Sequence, residues 1–160
     1  MVGRPDYDAE LIGMLESTVG CPAITTAGAE AAPLTQAATK KLDLLTPYSE
    51  QMTLMEKEYL EMTVPGLKVV SHRSLGVSSG LAIGDIEPME AYRESRNIDT
   101  GQADALFLSG TNWRTVDVAR LIESDLGMPV FSANLVSMWA ALGRLGISGK
   151  TGYGSLLDQT

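Results

Sequence analysis

The feature that most constrains this chain is an alternation of two patterns. Short apolar runs rich in β-branched residues, at 23–26, 42–46, 67–71, 105–108 and 130–132, read as strands. Between them lie segments whose apolar residues step by three and four. Met52, Met55, Tyr59 and Met62 share one helical face, as do Leu135, Met138, Trp139, Leu142 and Leu145. Residues 6–16 read as a further helix with Pro5 at its start and Leu11, Met14 and Leu15 turned inward. The Met stripe reads as core packing, and the Ser- and Gly-rich stretch 76–84 as a mobile loop.

Strands that alternate with helices at this pitch imply right-handed crossovers and a parallel sheet. The strands are mostly apolar, as expected where helices cover both faces. The expected fold class is therefore α/β, with parallel sheets and flanking helices. The chain opens on a helix with no strand before it, so it reads as a sequence that begins inside a domain.

Composition narrows the function classes. Twenty acidic residues against 12 Lys and Arg leave a net charge of −8, which disfavours nucleic acid and anionic membrane surfaces. No apolar stretch approaches the roughly 18–20 residues of a membrane helix, and residues 1–6 do not resemble a signal peptide. A cytoplasmic protein is the default expectation. One cysteine, Cys21, and one histidine, His72, cannot form a disulfide or a zinc cluster between them.

Ligands of open parallel sheets bind beyond the carboxyl ends of the strands. That rule selects Thr46-Pro47-Tyr48-Ser49, Ser109-Gly110-Thr111-Asn112 and Ser132-Ala133-Asn134. Free N–H groups at the following helix starts suit a carboxylate or phosphate. The competing account is that these Ser, Thr and Asn residues only cap helices.

The same segments carry a resemblance. Thr46-Pro47-Tyr48, the run 103–115, Leu126-Gly127-Met128-Pro129-Val130, Ser132-Ala133-Asn134 with Trp139, and Gly152-Tyr153-Gly154-Ser155-Leu156-Leu157 resemble the aspartate/glutamate racemase superfamily, in the branch of the maleate cis–trans isomerases and arylmalonate decarboxylases. The resemblance implies two α/β lobes with a site between them, and a chain matching roughly the C-terminal two-thirds of a full-length relative. Residues 41–132 would form the complete second lobe, and residues 1–40 with 133–160 a partial first lobe.

The resemblance also implies chemistry without metal or organic cofactor, on a small carboxylate or dicarboxylate. Relatives commonly place one cysteine in each lobe, a thiolate base facing a thiol acid, or a thiolate that adds to a double bond. Here the second-lobe position is Gly110, and the first-lobe position would precede Met1. Cys21, read as starting a strand before Pro22, would lie about 15 Å from the ligand edge and be a structural thiol. No residue is therefore assigned a catalytic role. Tyr48 matches a tyrosine that hydrogen-bonds a substrate carboxylate, and Gly110, Thr111 and Asn112 complete the expected binding set. Ser78, Ser79 and Gly80 fall where relatives carry a substrate-contacting asparagine.

Among the remaining candidates, His72 reads as a solvated loop residue at a strand end. Arg114 reads either as a carboxylate clamp or as a partner of Asp117 or Glu123. Three functional readings stay open: an impaired isomerase or decarboxylase, a non-catalytic carboxylate-binding or regulatory module, and an incomplete gene product. A truncated first lobe would expose sheet edge and apolar surface, so a homo-oligomer is expected.

Overall fold

The computed structural model describes residues 5–98, 101–147 and 152–158. In chain order the elements are α1 (Pro5–Val19), α2 (Thr26–Gln36), β1 (Lys41–Thr46), α3 (Glu50–Thr63), β2 (Lys68–Ser74), α4 (Gly80–Gly84), α5 (Pro88–Asn97), β3 (Ala105–Leu108), α6 (Val116–Leu126), β4 (Val130–Ser132), α7 (Ala133–Leu145) and α8 (Ser155–Asp158). The four strands form one parallel sheet in the order β2-β1-β3-β4, with Leu44 opposite His72 on one side and Phe107 on the other. The α/β class and the parallel sheet with flanking helices are as expected.

Alternate residues of the central strands serve two apolar layers, because side chains of a strand point to opposite faces. Leu42, Leu44, Ala105, Phe107 and Phe131 pack with Ala29 and Leu34 of α2 and Leu60 of α3. Leu45, Leu106, Leu108 and Val130 pack on the other face with Trp113, Ala119, Ile122 and Leu135. Burial on both faces explains why these strands read as continuous apolar runs.

Three expectations are corrected. Residues 23–26 form no strand: Thr25 is extended and its hydroxyl accepts from the Gly28 N–H, capping α2. The β-branched pair Thr25-Thr26 serves a helix start, where a hydroxyl satisfies a free donor. The Met stripe is core only in part: Tyr59 is buried and Met55 half-buried, but Met52 and Met62 are 47% and 52% exposed. The buried side of α3 runs one residue later, through Thr53, Glu56, Leu60 and Val64. Finally, 76–84 is not wholly loop: the Ser79 hydroxyl caps the short helix α4, whose Ile83 is buried.

Among the described residues no helix is long and apolar enough to cross a membrane.

Candidate functional site

Strand order reverses between β1 and β3: the chain leaves β1 for β2 on one side, and β3 lies on the other. Such a reversal leaves a crevice beyond the strand ends. The residues that emerge there are Pro47 and Tyr48 after β1, and Ser109 and Gly110 after β3.

Backbone hydrogen bonds hold both segments. The Ser109 N–H donates to the Leu45 carbonyl at 3.0 Å, extending the ladder. Pro47 has no N–H to give, but its carbonyl accepts from Val77 N–H at 2.9 Å. The Tyr48 carbonyl accepts from Gly76 N–H at 2.8 Å and from the Ser74 hydroxyl at 2.5 Å. With its backbone fixed, Tyr48 lays its ring against the layer containing Leu45, Leu108 and Trp113. Gly110 is buried at φ +115°, a conformation that side chains rarely adopt.

Behind Tyr48 lies a group of acids. Glu30 of α2 and Glu56 of α3 act on each other's ionisation, and the Ser109 hydroxyl acts on that of both Glu56 and Tyr48. One oxygen of each carboxyl, Glu30 Oε2 and Glu56 Oε1, is buried with no hydrogen-bond partner. Burial pushes Glu30 well above the usual carboxylate range, and the neighbouring charges of Glu56 and Asp8 push it further. Glu56 is raised mainly by burial, against the lowering effect of Ser109 and Glu30 nearby. Burial likewise raises the Tyr48 phenol, partly offset by Ser109. Tyr59, beside the same acids, is pushed up to about 12, chiefly by burial.

The expected binding residues divide. Tyr48 and Gly110 meet, whereas Thr111 and Asn112 are exposed. The Asn112 amide donates to the Gly80 carbonyl at 2.8 Å, tying α4 to the end of β3. Capping is the observed role of two other strand-end residues: the Ser49 hydroxyl accepts from Met52 N–H, and the Ser132 hydroxyl from Leu135 N–H. Asn134 instead donates to the Trp113 carbonyl at 3.1 Å.

Other candidates are placed differently from expectation. His72 lies within β2, not in a loop, and its Nε2 is 2.8 Å from Glu50 Oε1. Arg114 pairs with Glu87 at 3.4 Å, not with Asp117 or Glu123. Cys21 occupies the exposed turn between α1 and α2, so no strand length separates it from the ligand edge and it is not a buried structural thiol. Ser78 is exposed in the segment before α4. Among the described residues no group of His, Cys, Asp and Glu could hold a metal ion.

Sequence reasoning passed over Glu30 and Glu56. A glutamate in the buried phase of α3 was the available signal, hidden by reading that helix one residue out of phase.

Comparison with known proteins agrees with this architecture. The arylmalonate decarboxylase family model matches residues 3–157. A maleate isomerase of Geobacillus stearothermophilus is 29% identical over 127 residues, covering 79% of this chain and 50% of the relative. The crystal structure of a Cys-to-Ala variant of the maleate isomerase Iso from Pseudomonas putida S16, with maleate, superposes with a TM-score of 0.88 at 25% identity, covering 97% of this chain and 62% of that one. A Nocardia farcinica maleate cis–trans isomerase variant carrying a covalently bound succinylcysteine intermediate superposes at 0.86 with 24% identity, covering 96% and 64%. The chain thus spans about half the length of the curated relative. A match along nearly the whole sequence, joined to a parallel sheet of the same form, places the chain in the arylmalonate decarboxylase family, in the maleate isomerase and arylmalonate decarboxylase branch of the aspartate/glutamate racemase superfamily.

Proposed function

We propose that this chain binds a small carboxylate or dicarboxylate in the crevice beyond β1 and β3, and that its thiol chemistry is impaired. Tyr48 is the donor to the carboxylate, Gly110 is the wall beside it, and Thr111 and Asn112 line the rim. The observation that carries the proposal is the meeting of the Tyr48 hydroxyl and Gly110 at the strand-order reversal. Maleate in one relative and a succinylated cysteine in another support both the ligand class and the need for a thiol. The family's second-lobe thiol position is filled here by a glycine, which offers neither a base nor a nucleophile.

The test is a calorimetric titration with maleate, with turnover of maleate and of an arylmalonate measured on the same sample. Binding that weakens about tenfold on Tyr48→Phe, the loss of one hydrogen bond to a charged group, supports the reading. Unchanged affinity in that variant removes Tyr48 from the site, and clear turnover by the unaltered chain overturns the impairment.

The same proposal assigns 41–132 to a second lobe and 1–40 with 133–160 to a partial first one. Its support is the packing of α2 on α7, where the Ser137 hydroxyl donates to Thr26 Oγ1 at 3.0 Å. Exposed apolar side chains, Met14 and Val19 on α1 and Met138 and Leu145 on α7, favour self-association. A monodisperse monomer in light scattering would exclude that part.

A further inference from the structure

We propose that a cavity between α6, α7 and α8 is a binding site for an uncharged, largely apolar molecule with a single hydrogen-bonding group. The inference does not depend on the carboxylate reading, since none of Tyr48, Gly110, Thr111 and Asn112 lines this cavity.

The sequence builds the cavity from three directions. On α7, Leu135, Met138 and Leu142 are spaced by three and then four residues, so they share one face. Val116 opens α6, and Leu157 comes from α8. Between Gly152 and Gly154, both at positive φ, the chain turns and brings Tyr153 to the same wall. Together with Asn134 these side chains enclose about 510 Å³. Leu135 and Leu157 are 1% and 3% exposed and form the floor, while Met138 and Tyr153 are 51% and 48% exposed and stand at the mouth. The volume falls within the range of small-molecule pockets, roughly 300–1,000 Å³.

The lining decides the chemistry of the ligand. No charged side chain lines the cavity among the described residues. A carboxylate or ammonium drawn into it would give up water without gaining a counter-ion. The first turns of α6 and α7 lend some positive charge, but the chain as a whole carries −8 and opposes an anion. An uncharged ligand meets neither penalty. One polar side chain is fixed in the wall: the Asn134 Nδ2 donates to the Trp113 carbonyl at 3.1 Å. A primary amide carries a further N–H and two oxygen lone pairs, the complement of a hydroxyl or a carboxamide.

The probes are 4-phenylbutan-1-ol and its ionised analogues, 4-phenylbutyrate and 4-phenylbutylamine, titrated against the chain while the methionine methyl groups are followed by NMR. The alcohol should bind with a Kd on the order of 0.1–1 mM, shift the Met138 methyl, and bind at least about tenfold more tightly than either ion. Met138→Trp fills the mouth from an exposed position, so the fold should persist and binding should be lost. Asn134→Leu should weaken the alcohol about tenfold while butylbenzene, which has no polar group, binds as before. Binding that survives Met138→Trp, a preference for either ion, or a Met138 methyl unmoved at saturation overturns the inference. Equal losses of alcohol and butylbenzene on Asn134→Leu overturn the hydrogen-bonding group. Maleate should not displace the alcohol, and displacement would put the alcohol in the crevice, against the proposal. An affinity that falls as protein concentration rises, with dimers in light scattering, would give the cavity to a second copy instead.

Discussion

The Tyr48 hydroxyl lies 3.5 Å from the point that a Cβ on Gly110 would occupy, and Pro47 Cγ lies only 3.0 Å from the same point. The two strand-end segments therefore close on each other at the crevice. Gly110 also holds φ +115°, so a side chain there meets both a neighbour and an unfavourable backbone. Gly110→Ala should cost about 1–3 kcal/mol in urea unfolding. Gly110→Cys should cost at least as much, and on its own should not restore two-thiol chemistry. An alanine variant as stable as the unaltered chain would mean that Pro47 and the backbone yield freely, and that the glycine is not a geometric requirement.

Glu30 makes stability depend on pH in an unusual direction. Its carboxyl is raised by burial and by the charges of Glu56 and Asp8, so the folded chain keeps a proton that the unfolded chain has released. Its contribution is complete below the unfolded value of about 4.3 and is lost as pH rises toward the folded value. Glu30→Gln cannot titrate and keeps the shape of the side chain. The variant should match the unaltered chain to within about 1 kcal/mol in acid, then gain on it steadily as pH rises. Some slope remains in the variant, because Glu56 is raised as well. Parallel pH profiles in the two proteins would show that the Glu30 proton is not retained on folding.

Asp104 has the opposite sign. Its Oδ2 accepts from the backbone N–H of Lys41 at 2.8 Å and of Lys40 at 3.0 Å, joining the start of β1 to the approach of β3. Those two donors, Lys41 first, hold the carboxyl below its ordinary value. The contribution is present above the unfolded value of about 3.9 and disappears as pH falls through the lower folded one. Asp104 is exposed, so solvent limits the effect, and Asp104→Ala should cost no more than about 1 kcal/mol at neutral pH. The difference should shrink in strong acid, as followed by urea midpoints. A cost that persists there would point to lost backbone order instead of lost charge.

How far the sequence foretold this molecule depends on where the information resides. β3 and β4 were legible to the residue, since Leu106 and Leu108 face one layer while Phe107 and Phe131 face the other, leaving only Ser132 at the end of β4 as a polar position. β1 was legible to within one residue, because Lys41 joins the ladder as an exposed polar end. α2 was missed, as Thr25-Thr26 mimics a strand and Pro33 sits inside the helix. Tyr48 and Gly110 could be brought to one edge from strand order alone. The Glu30–Glu56 pair could not, because its meaning comes from two helices that are adjacent only after folding. His72 and Arg114 found Glu50 and Glu87, partners remote in sequence that no local spacing announces.

The attachment of the last helix makes the final prediction. Glu123 of α6 accepts from three donors: Val130 N–H at 3.0 Å, Ser155 N–H at 2.9 Å and the Ser155 hydroxyl at 2.6 Å. One side chain thus joins the start of β4 to the start of α8. Gly154 runs so close that a Cβ there would stand 3.1 Å from Glu123 Oε2, at a φ of +109°. Removing the carboxylate leaves Val130 N–H and both Ser155 donors short of an acceptor, all three partly buried. Glu123→Ala should therefore cost about 2–3 kcal/mol, the range for bonds to a charged acceptor. Glu123→Gln, with one acceptor oxygen and an NH₂ facing other donors, should recover less than half of the loss. Leu157 still packs in the core layer, so α8 is expected to loosen, not to leave. Hydrogen exchange at residues 155–157 should accelerate in the alanine variant while the amides of β3 keep their protection. Equal acceleration in β3 would show that Glu123 supports the whole sheet, and no acceleration at 155–157 would show that Leu157 alone holds the helix.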